Sequence, residues 1–286
     1  MRGPTPCVTV VAMTDQPTER DVLSTFGALQ KLREQAPVIH NITNFVVMNT
    51  TANALLAVGA SPVMAHAAEE VADMVGIASA LVINIGTLSK HWVDAMFVAV
   101  QSAAKRGIPI VLDPVGAGAT PYRTRTVLAL MEAARFTVVR GNASEILAIH
   151  GAHGGTKGVD STAAAQDAVQ AARAIHERFG ATVCISGKTD FVVGSQGVLS
   201  IHNGHPMMTR VTGLGCTASA LCGAFLAVTP DPSQATAQAM AVMGIAGELA
   251  AERSEGPGSL QVNFLDALYK LSEADILRRL RLGAGK

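Results

Sequence analysis

Hydrophobic positions recur along this chain with two different periods. Apolar side chains at helical spacing occupy residues 21–35, and similar patterns cover Asn49 to Val58 and Ala68 to Ser79. Further along, four short and continuously apolar segments each follow a helical pattern, which is typical of buried strands. These segments read ALVINIG, IPIVLDP, FTVVRGN and ATVCISG.

The alternation of helix and strand at this spacing predicts βαβ units and a mostly parallel sheet. Two shorter strands are predicted before them, at Val38 to His40 and in SPVMA. The segment DFVVGSQGVLSIHNG predicts antiparallel strands at one edge, with a turn at Gly194 to Gly197. The last helices are predicted over Cys216 to Ala227, Pro232 to Arg253 and Asn263 to Leu282.

Neither a linker nor a repeat interrupts these patterns, so we expect one domain over residues 19–286. Residues 1–18 are expected to form a loose N-terminal tail. The composition is 49% hydrophobic and only 15% charged, which suits helices packed on both faces of a parallel sheet. The same composition favours subunit interfaces that bury part of the surface.

Composition also argues against several classes of function. The net charge is zero and no basic stripe appears, so we expect no nucleic-acid partner. No run of about 18 apolar residues is present, so we expect no membrane span. The four cysteines form no C-x-x-C pair and have no histidine cluster beside them, which argues against structural zinc and favours a reduced, cytoplasmic protein.

Polar residues gather where the predicted buried strands stop. The four segments end in Asn84-Ile85-Gly86, Asp113-Pro114-Val115-Gly116, Arg140-Gly141-Asn142 and Ser186-Gly187-Lys188. Ligands of open α/β sheets bind beyond the carboxyl ends of the strands, so this edge is the expected site. A purely structural sheet also ends in Gly, Pro and Asn, because these residues make turns.

The segment VTGLGCTASALCGAF, from Val211 to Phe225, runs from a glycine turn into a helical pattern. Gly213 and Gly215 allow backbone N–H groups to converge on one point, and a helix N-terminus adds partial positive charge. The segment therefore predicts an anion cradle with the Cys216 thiol at its rim, as a phosphoryl-transfer centre requires. The alternative is a strand-to-helix turn with a buried cysteine.

Two acids close to this edge are candidate ligands for Mg²⁺. Asp113 ends one strand and Glu145 lies just beyond the next. Mg²⁺ in nucleotide sites takes one or two carboxylates together with phosphate oxygens. The structural alternatives are an Asx turn before Pro114 for Asp113 and a helix-capping position in NASE for Glu145.

Six motifs in order, HNITN, GASPVM, LDPVGAG, RGNASE, S-G-x-x-D and G-x-G-C, resemble those of the hydroxyethylthiazole kinase family of the ribokinase-like superfamily. The resemblance covers roughly residues 37–271. It implies a three-layer α-β-α fold with a mostly parallel central sheet and without the lid of sugar kinases. It also implies ATP-dependent phosphorylation of 4-methyl-5-(2-hydroxyethyl)thiazole for thiamine synthesis, by homotrimers whose thiazole sites lie between subunits.

The resemblance also implies roles for individual residues. Those of the thiazole pocket are Met64, Gly213, His40 and Asn44. Those that contact ATP are Arg123, Ser186 and Asn142, and those that serve Mg²⁺ are Asp113 and Glu145. Those at the catalytic centre are Gly213, Gly215 and Cys216, the cysteine standing where related kinases have an aspartate base.

The chain departs from the family pattern in one motif, and two other interpretations of its function stay open. The chain reads SGKTD where family members often read T-G-E-x-D, so Ser186 replaces Thr and Lys188 replaces Glu. Another ribokinase-like kinase, of the hydroxymethylpyrimidine or pyridoxal type, is one alternative, although such kinases usually have G-x-G-D where this chain has Cys216. A catalytically silent nucleotide-binding trimer is the other, and loss of Asp113, Glu145 or the glycines would have favoured it.

The Cys216 thiol is expected to orient the substrate hydroxyl and to matter less than the Mg²⁺ carboxylates. A helix N-terminus would lower the pKa of this thiol and make its thiolate a weaker base. Phosphoryl transfer depends mostly on positioning and charge neutralisation, so a strong base is not required.

Overall fold

One mixed sheet of nine strands forms the centre of the computed structural model, which describes residues 18–152 and 163–284. Within these residues the strand order is β2-β1-β3-β4-β5-β6-β7-β8-β9. The strands are β1 (Val38–Ile42), β2 (Ser61–Val63), β3 (Ala80–Asn84), β4 (Ile110–Asp113), β5 (Val138–Asn142), β6 (Thr182–Ser186), β7 (Asp190–Gly194), β8 (Gly197–Ile201) and β9 (Leu282–Ala284).

Helices connect the strands and cover both faces of the sheet. The α-helices are α1 (Glu19–Gln35), α2 (Met48–Val58), α3 (Val71–Ile77), α4 (Lys90–Arg106), α5 (Pro121–Ala133), α6 (Ala143–Ala152), α7 (Ala163–Phe179), α8 (Leu214–Leu226), α9 (Pro232–Ala251), α10 (Pro257–Lys270) and α11 (Glu273–Arg279). A 3₁₀ helix spans Pro206–Arg210. No helix within the described residues is both long and apolar enough to cross a bilayer.

Alternate residues of the strands face two separate hydrophobic cores. Val82 belongs to the core under α1, α2, α8, α9 and α10, whereas its neighbours Leu81 and Ile83 belong to the core under α3 to α7. The period-two alternation of a strand produces this division. The predicted three-layer α-β-α arrangement is confirmed.

The sheet is parallel from β2 to β6 and antiparallel from β6 to β9. The predicted buried strands and the antiparallel pair β7–β8 are therefore confirmed. The register pairs Asn84 with Asp113 and Asn142 with Ser186. Because the parallel strands end at the same edge, the polar strand ends of the sequence lie side by side.

The C-terminal region differs from its prediction. The single helix predicted over Asn263 to Leu282 is two helices, followed by strand β9 on the edge of β8. The backbone leaves helical geometry at Leu271, and Ser272 begins α11 with a capping box to Asp275. A capping box supplies partners for the free N–H groups of a new helix start, so it divides the segment.

Two predicted boundaries near the N-terminal half also change. The helix predicted over Ala68 to Ser79 is restricted to α3, and Glu69 and Glu70 lie in the turn before it. Residues 1–17 of the predicted tail lie outside the described residues. Thr18 is described, and its side chain accepts a hydrogen bond from the backbone N–H of Asp21 as the N-cap of α1.

Candidate active site

A cavity of about 390 Å³ opens at the carboxyl ends of the parallel strands, beside the N-terminus of α8. Eight of the predicted site residues line it: Asn44, Asp113, Asn142, Glu145, Ser186, Gly213, Gly215 and Cys216. The structure therefore brings the predicted metal, nucleotide and catalytic positions together in one place.

The N-terminus of α8 forms one side of this cavity. Gly213 is the N-cap and has a φ of 85°, in the left-handed region that favours glycine. A Cβ at this position would lie 2.6 Å from Cγ1 of Val47, so only glycine fits. The first-turn residues Leu214 to Cys216 follow it. First-turn N–H groups have no partner within their own helix, so they suit an anion.

Asp113, at the end of β4, is buried and lies beside α8. Its Oδ2 accepts hydrogen bonds from Nδ2 of Asn84 at 2.7 Å and from Oγ of Ser219 at 2.8 Å. Burial raises the pKa of this carboxyl to about 6, against the opposing effect of the Arg140 guanidinium, and the Glu145 carboxylate adds to the rise. The ionised form of Asp113 is therefore held in the site at a desolvation cost. Such a perturbed carboxyl is typical of functional positions.

Glu145 combines a structural role with its place in the cavity wall. Its Oε1 accepts from the backbone N–H of Gly116 and its Oε2 from that of Asn142, both at 2.8 Å. In return, Oδ1 of Asn142 accepts from the backbone N–H of Glu145 at 2.9 Å. This reciprocal pair caps α6 and ties the β4–α5 loop to it. The capping alternative weighed from the sequence is thus present alongside the predicted site position.

The chemistry of the two acids in the cavity wall fits a Mg²⁺ ion. Among the described residues no group of three or more His, Cys, Asp or Glu side chains could hold a metal. Two carboxylates facing one cavity are nevertheless the donor set that Mg²⁺ uses when phosphates supply the remaining ligands. Both hydrogen bonds to Asp113 reach Oδ2 and leave Oδ1 out.

Arg140 is a cavity residue to which the sequence analysis gave no role. It lies on β5, is only 7% exposed, and has a buried Nε with no hydrogen-bond partner. Its Nη1 lies 3.5 Å from Oγ of Ser219, and a Cβ added at Gly215 would lie 3.7 Å from the same nitrogen. A buried guanidinium that lines the cavity beside the start of α8 is suited to an anionic ligand.

Arg123, the predicted ATP contact, has a different environment. Its guanidinium donates to three backbone oxygens, those of Ile85 at 2.8 Å, Gly86 at 2.7 Å and Val115 at 2.6 Å. It therefore joins the loops after β3 and β4. Arg123 is not among the residues that line the cavity.

The predicted thiazole residues His40 and Met64 also stay outside the cavity wall. His40 is fully buried, and its Nε2 lies 2.8 Å from the backbone oxygen of Ala65. Met64 follows the edge strand β2 and is half-buried. Near the cavity, Phe45 and Val46 are 65% and 61% exposed, which is unusual for apolar side chains beside a site.

Cys216, the third residue of α8, has a thiol that is harder to ionise than the sequence indicates. Burial, followed by the charge of Asp113, raises its pKa to about 11. The expected lowering of this pKa by the helix N-terminus is therefore wrong, because desolvation and the neighbouring carboxylate outweigh it. Nδ2 of Asn44 donates to Sγ at 3.4 Å. The thiol is neutral at physiological pH.

The S-G-x-x-D segment forms the turn between β6 and β7. Ser186 lines the cavity and its Oγ donates to the backbone oxygen of Gly141 at 3.3 Å. Asp190 is buried, and its Oδ1 accepts from the backbone N–H of Gly187 at 2.9 Å. Lys188, which replaces the glutamate of many family members, is exposed at the turn.

Known proteins of one enzyme family resemble the chain over most of its length. The model of the hydroxyethylthiazole kinase family matches residues 29–274. The chain is 65% identical to the hydroxyethylthiazole kinase of Syntrophus aciditrophicus (strain SB) over 264 residues, 92% of this chain and 98% of that protein.

Solved structures extend this agreement to the fold. The hydroxyethylthiazole kinase structure from Pyrococcus horikoshii OT3 has a TM-score of 0.85 and 45% identity, and covers 92% of this chain and 99% of that one. A ribokinase-like superfamily protein from Enterococcus faecalis V583, 15% identical with a TM-score of 0.59 over 91% of this chain and 93% of that one, shares the fold. The chain belongs to the hydroxyethylthiazole kinase family.

Proposed function

We propose that this chain transfers the γ-phosphoryl group of ATP to the hydroxyl of 4-methyl-5-(2-hydroxyethyl)thiazole, with Mg²⁺, in thiamine synthesis. One observation carries the proposal: two carboxylates, a buried guanidinium and a helix N-terminus converge on one cavity at the strand ends. Phosphoryl transfer needs these groups, because its catalysis is mainly positioning and charge stabilisation. The names of the relatives support the choice of substrate.

The phosphates of ATP occupy the space between the start of α8 and the ends of β5 and β6. The first-turn N–H groups after Gly213 face the transferring phosphoryl group, with Gly215 leaving room for it. Arg140 contacts the phosphates, because its buried guanidinium lines the cavity, and Arg123 stays the predicted ATP contact from the loops after β3 and β4. Ser186 and Asn142 contribute polar contacts from the neighbouring strand ends.

Asp113 and Glu145 would hold Mg²⁺, and Glu145 would do so while it also caps α6. When bound, the ion neutralises phosphate charge. The two hydrogen bonds on Oδ2 of Asp113 fix that carboxylate, so its other oxygen is held in one orientation. Fixed orientation of this kind reduces the reorganisation needed at the moment of reaction.

Cys216 orients the alcohol rather than removing its proton. In the reaction the hydroxyl oxygen bonds to the γ-phosphorus as the bond to the β–γ bridging oxygen breaks, ADP leaves, and the alcohol proton is released to water. A thiol with a pKa near 11 stays protonated at neutral pH, so it offers a hydrogen bond and not a base. Asn44 fixes the position of the sulfur.

We further propose that the active form is a homotrimer whose thiazole pocket is completed by a neighbouring copy. The position of Met64 outside the cavity wall supports this, since the contact would come from the next subunit. The exposed Phe45 and Val46 beside the cavity supply apolar surface for such an interface. The free thiols of Cys184, Cys216 and Cys222 are in keeping with a cytoplasmic location.

The first test is turnover by the purified protein. With ATP and Mg²⁺, the thiazole alcohol should yield ADP and the thiazole phosphate, and removal of the ion with EDTA should stop the reaction. Hydroxymethylpyrimidine and pyridoxal serve as matched alcohols. Absence of thiazole turnover together with phosphorylation of either alternative would reject the substrate, and absence of all three would favour a silent nucleotide-binding protein.

The shared site is tested by mixing two defective variants after dissociation and reassembly. Asp113→Ala and Met64→Ala each damage a different part of the site. If Met64 acts across the interface, about a quarter of the sites in random trimers regain both intact residues. If both residues act within one subunit, mixing restores nothing, and light scattering independently reports the number of subunits.

A further inference from the structure

Asn84 is a buried residue that touches the site without lining it. It ends β3, is only 1% exposed, and pairs in register with Asp113 of β4. It does not belong to the cavity wall. Its side chain is therefore placed to act on the residues around the cavity and not on a ligand.

Three hydrogen bonds fix the Asn84 amide in a single orientation. Its Oδ1 accepts from the backbone N–H of Gly86 and from Nδ2 of Asn44, both at 2.9 Å. A backbone N–H can only donate, so the atom that faces Gly86 is the oxygen of the amide. The nitrogen must then face Asp113, where Nδ2 donates to Oδ2 at 2.7 Å.

The Asn44 amide is fixed by the same argument. Its Oδ1 accepts from the backbone N–H of Val46 at 3.1 Å, so its Nδ2 faces Asn84 and the sulfur of Cys216. A Cβ added at Gly86 would lie 2.5 Å from this nitrogen, which shows how closely the loop packs on it. Donors therefore run in one direction, from Asn44 to Asn84 to Asp113.

We propose that Asn84 is a positioning residue that couples the thiazole side of the site, Asn44 with Cys216, to the metal carboxylate Asp113. The inference rests on the proposed function, in which Asn44 lines the thiazole pocket and Asp113 holds the ion. Partners behind metal ligands fix the orientation of those ligands, and their loss costs about 10- to 100-fold in metal affinity or activity. Asn84 is hydrogen-bonded to Asn44 and to Asp113, so its replacement should disturb both the thiazole pocket and the metal carboxylate.

The test measures metal binding and substrate binding separately in the full-length protein. Mn²⁺ serves as the probe ion, and its binding in the presence of a non-hydrolysable ATP analogue is followed by electron paramagnetic resonance. Asn84→Ala should weaken Mn²⁺ binding by about 10- to 100-fold and also raise the KM for the thiazole alcohol.

Ser219→Ala is the matched control for this variant. Ser219 is the other donor to Oδ2 of Asp113, at 2.8 Å, and it has no hydrogen bond with Asn44. Its replacement should weaken Mn²⁺ binding and leave the KM for the thiazole unchanged. Equal effects of the two variants on both readouts would overturn the coupling role, as would normal Mn²⁺ binding by Asn84→Ala.

Asn44→Ala keeps the inference testable if Asn84→Ala does not fold. This variant removes one of the two donors to Oδ1 of Asn84 but does not touch Asp113. It should still weaken Mn²⁺ binding, and unchanged binding would overturn the inference. If wild type neither binds Mn²⁺ with the nucleotide nor phosphorylates the thiazole, the proposed function fails and the inference falls with it. If wild type does both, only the inference is in question.

Discussion

The two walls of the cavity are built in different ways. The strand wall consists of residues on β4, β5 and β6 and in the first turn of α6, which follows β5: Asp113, Arg140, Asn142, Ser186 and Glu145. The helix wall lies at the start of α8: Thr212, Gly213, Gly215 and Cys216. Charged side chains dominate the first wall, whereas backbone N–H groups and a neutral thiol make up the second.

This difference separates two tasks of phosphoryl transfer. The strand wall supplies full charges that opposite charges and hydrogen bonds hold against the cost of burial, so it can hold a cation and bind phosphates. The helix wall supplies partial charges and shape, since Gly213 makes the tight turn against Val47 and Gly215 adds no side chain to the cavity wall. Replacements on the strand wall should therefore cost more turnover than those on the helix wall.

The largest effect is expected from Asp113→Ala. This change removes the more buried of the two carboxylates, together with its hydrogen bonds from Asn84 and Ser219. We expect kcat to fall by about 100- to 1000-fold, because charge stabilisation is lost where it is needed in the transition state. Steady-state kinetics at saturating Mg²⁺ measures the fall, and a kcat within twofold of wild type would refute the metal role and the proposed contrast between the walls.

Cys216→Ser on the helix wall should cost less. A hydroxyl keeps a hydrogen-bonding group at this position, so we expect a loss in kcat of about 10- to 100-fold, near the lower end of that range. Because burial holds the pKa of the thiol near 11, kcat of wild type should show no rise through pH 8–9 that the serine variant lacks. A thiol-dependent rise in that range would show that Cys216 acts as a base.

Cys216→Asp sharpens this comparison further. It introduces the carboxylate that related kinases use, and it should retain activity unless its charge repels the phosphoryl group. ATP affinity should change little in either variant, since the backbone of the helix wall is intact. An inactive Cys216→Asp beside a nearly normal Cys216→Ser would mean that Cys216 does not stand where a base would stand.

Glu145→Gln tests the member of the strand wall that also supports the fold. An amide can present one oxygen, so one of the two backbone N–H groups, of Gly116 or Asn142, loses its acceptor. We expect the free energy of unfolding to fall by about 1–3 kcal/mol, with a smaller loss of kcat than for Asp113→Ala. Chemical denaturation and kinetics measure the two effects, and unchanged stability would contradict the capping role.

The sequence predicted those site residues whose motif indicates both where they lie in the fold and which ligand their chemistry suits. Asp113 and Gly213 follow from a strand end and a glycine turn, and both line the cavity. Arg140 and Asn84 stand at equally visible strand ends but received no role, because residue type does not show which way a side chain points. The ATP contact of Arg123 stays a prediction, and the structure adds that its guanidinium donates to three backbone oxygens.

The sequence also did not show how deeply the Cys216 thiol is buried, or that a short strand pairs with the edge of the sheet. The direction of the Cys216 pKa shift depends on desolvation and on the charge of Asp113, which lies on a different element of the chain, and neither is visible in a local motif. Strand β9 is only Leu282–Ala284, too short for a periodic signal, and it forms by pairing with β8. The break before α11 was readable, because Ser272 and Asp275 have capping-box spacing.

The last comparison concerns the stability of the fold and not turnover. The ionised Asp113 of the strand wall should lower the free energy of unfolding. Burial raises the pKa of Asp113 from its ordinary value of 3.8 to about 6, so the folded protein binds this proton more tightly than the unfolded chain does. Tighter binding of this proton stabilises the folded protein. The stabilisation is fully present below pH ~4 and is lost as pH rises through about 6. The difference is on the order of 3 kcal/mol.

Asp113→Asn removes this pH dependence while it keeps the size of the side chain. Without Mg²⁺ or nucleotide, its thermal midpoint should match wild type near pH 4 and exceed it at pH 7, with the gap opening around pH 6. Asp190, whose pKa burial also raises to about 6, is present in both proteins and leaves a residual pH dependence in the variant. A gap that is constant with pH, or that widens toward acid, would show that Asp113 is not held against a desolvation cost. The strand wall would then be no more costly to the fold than the helix wall.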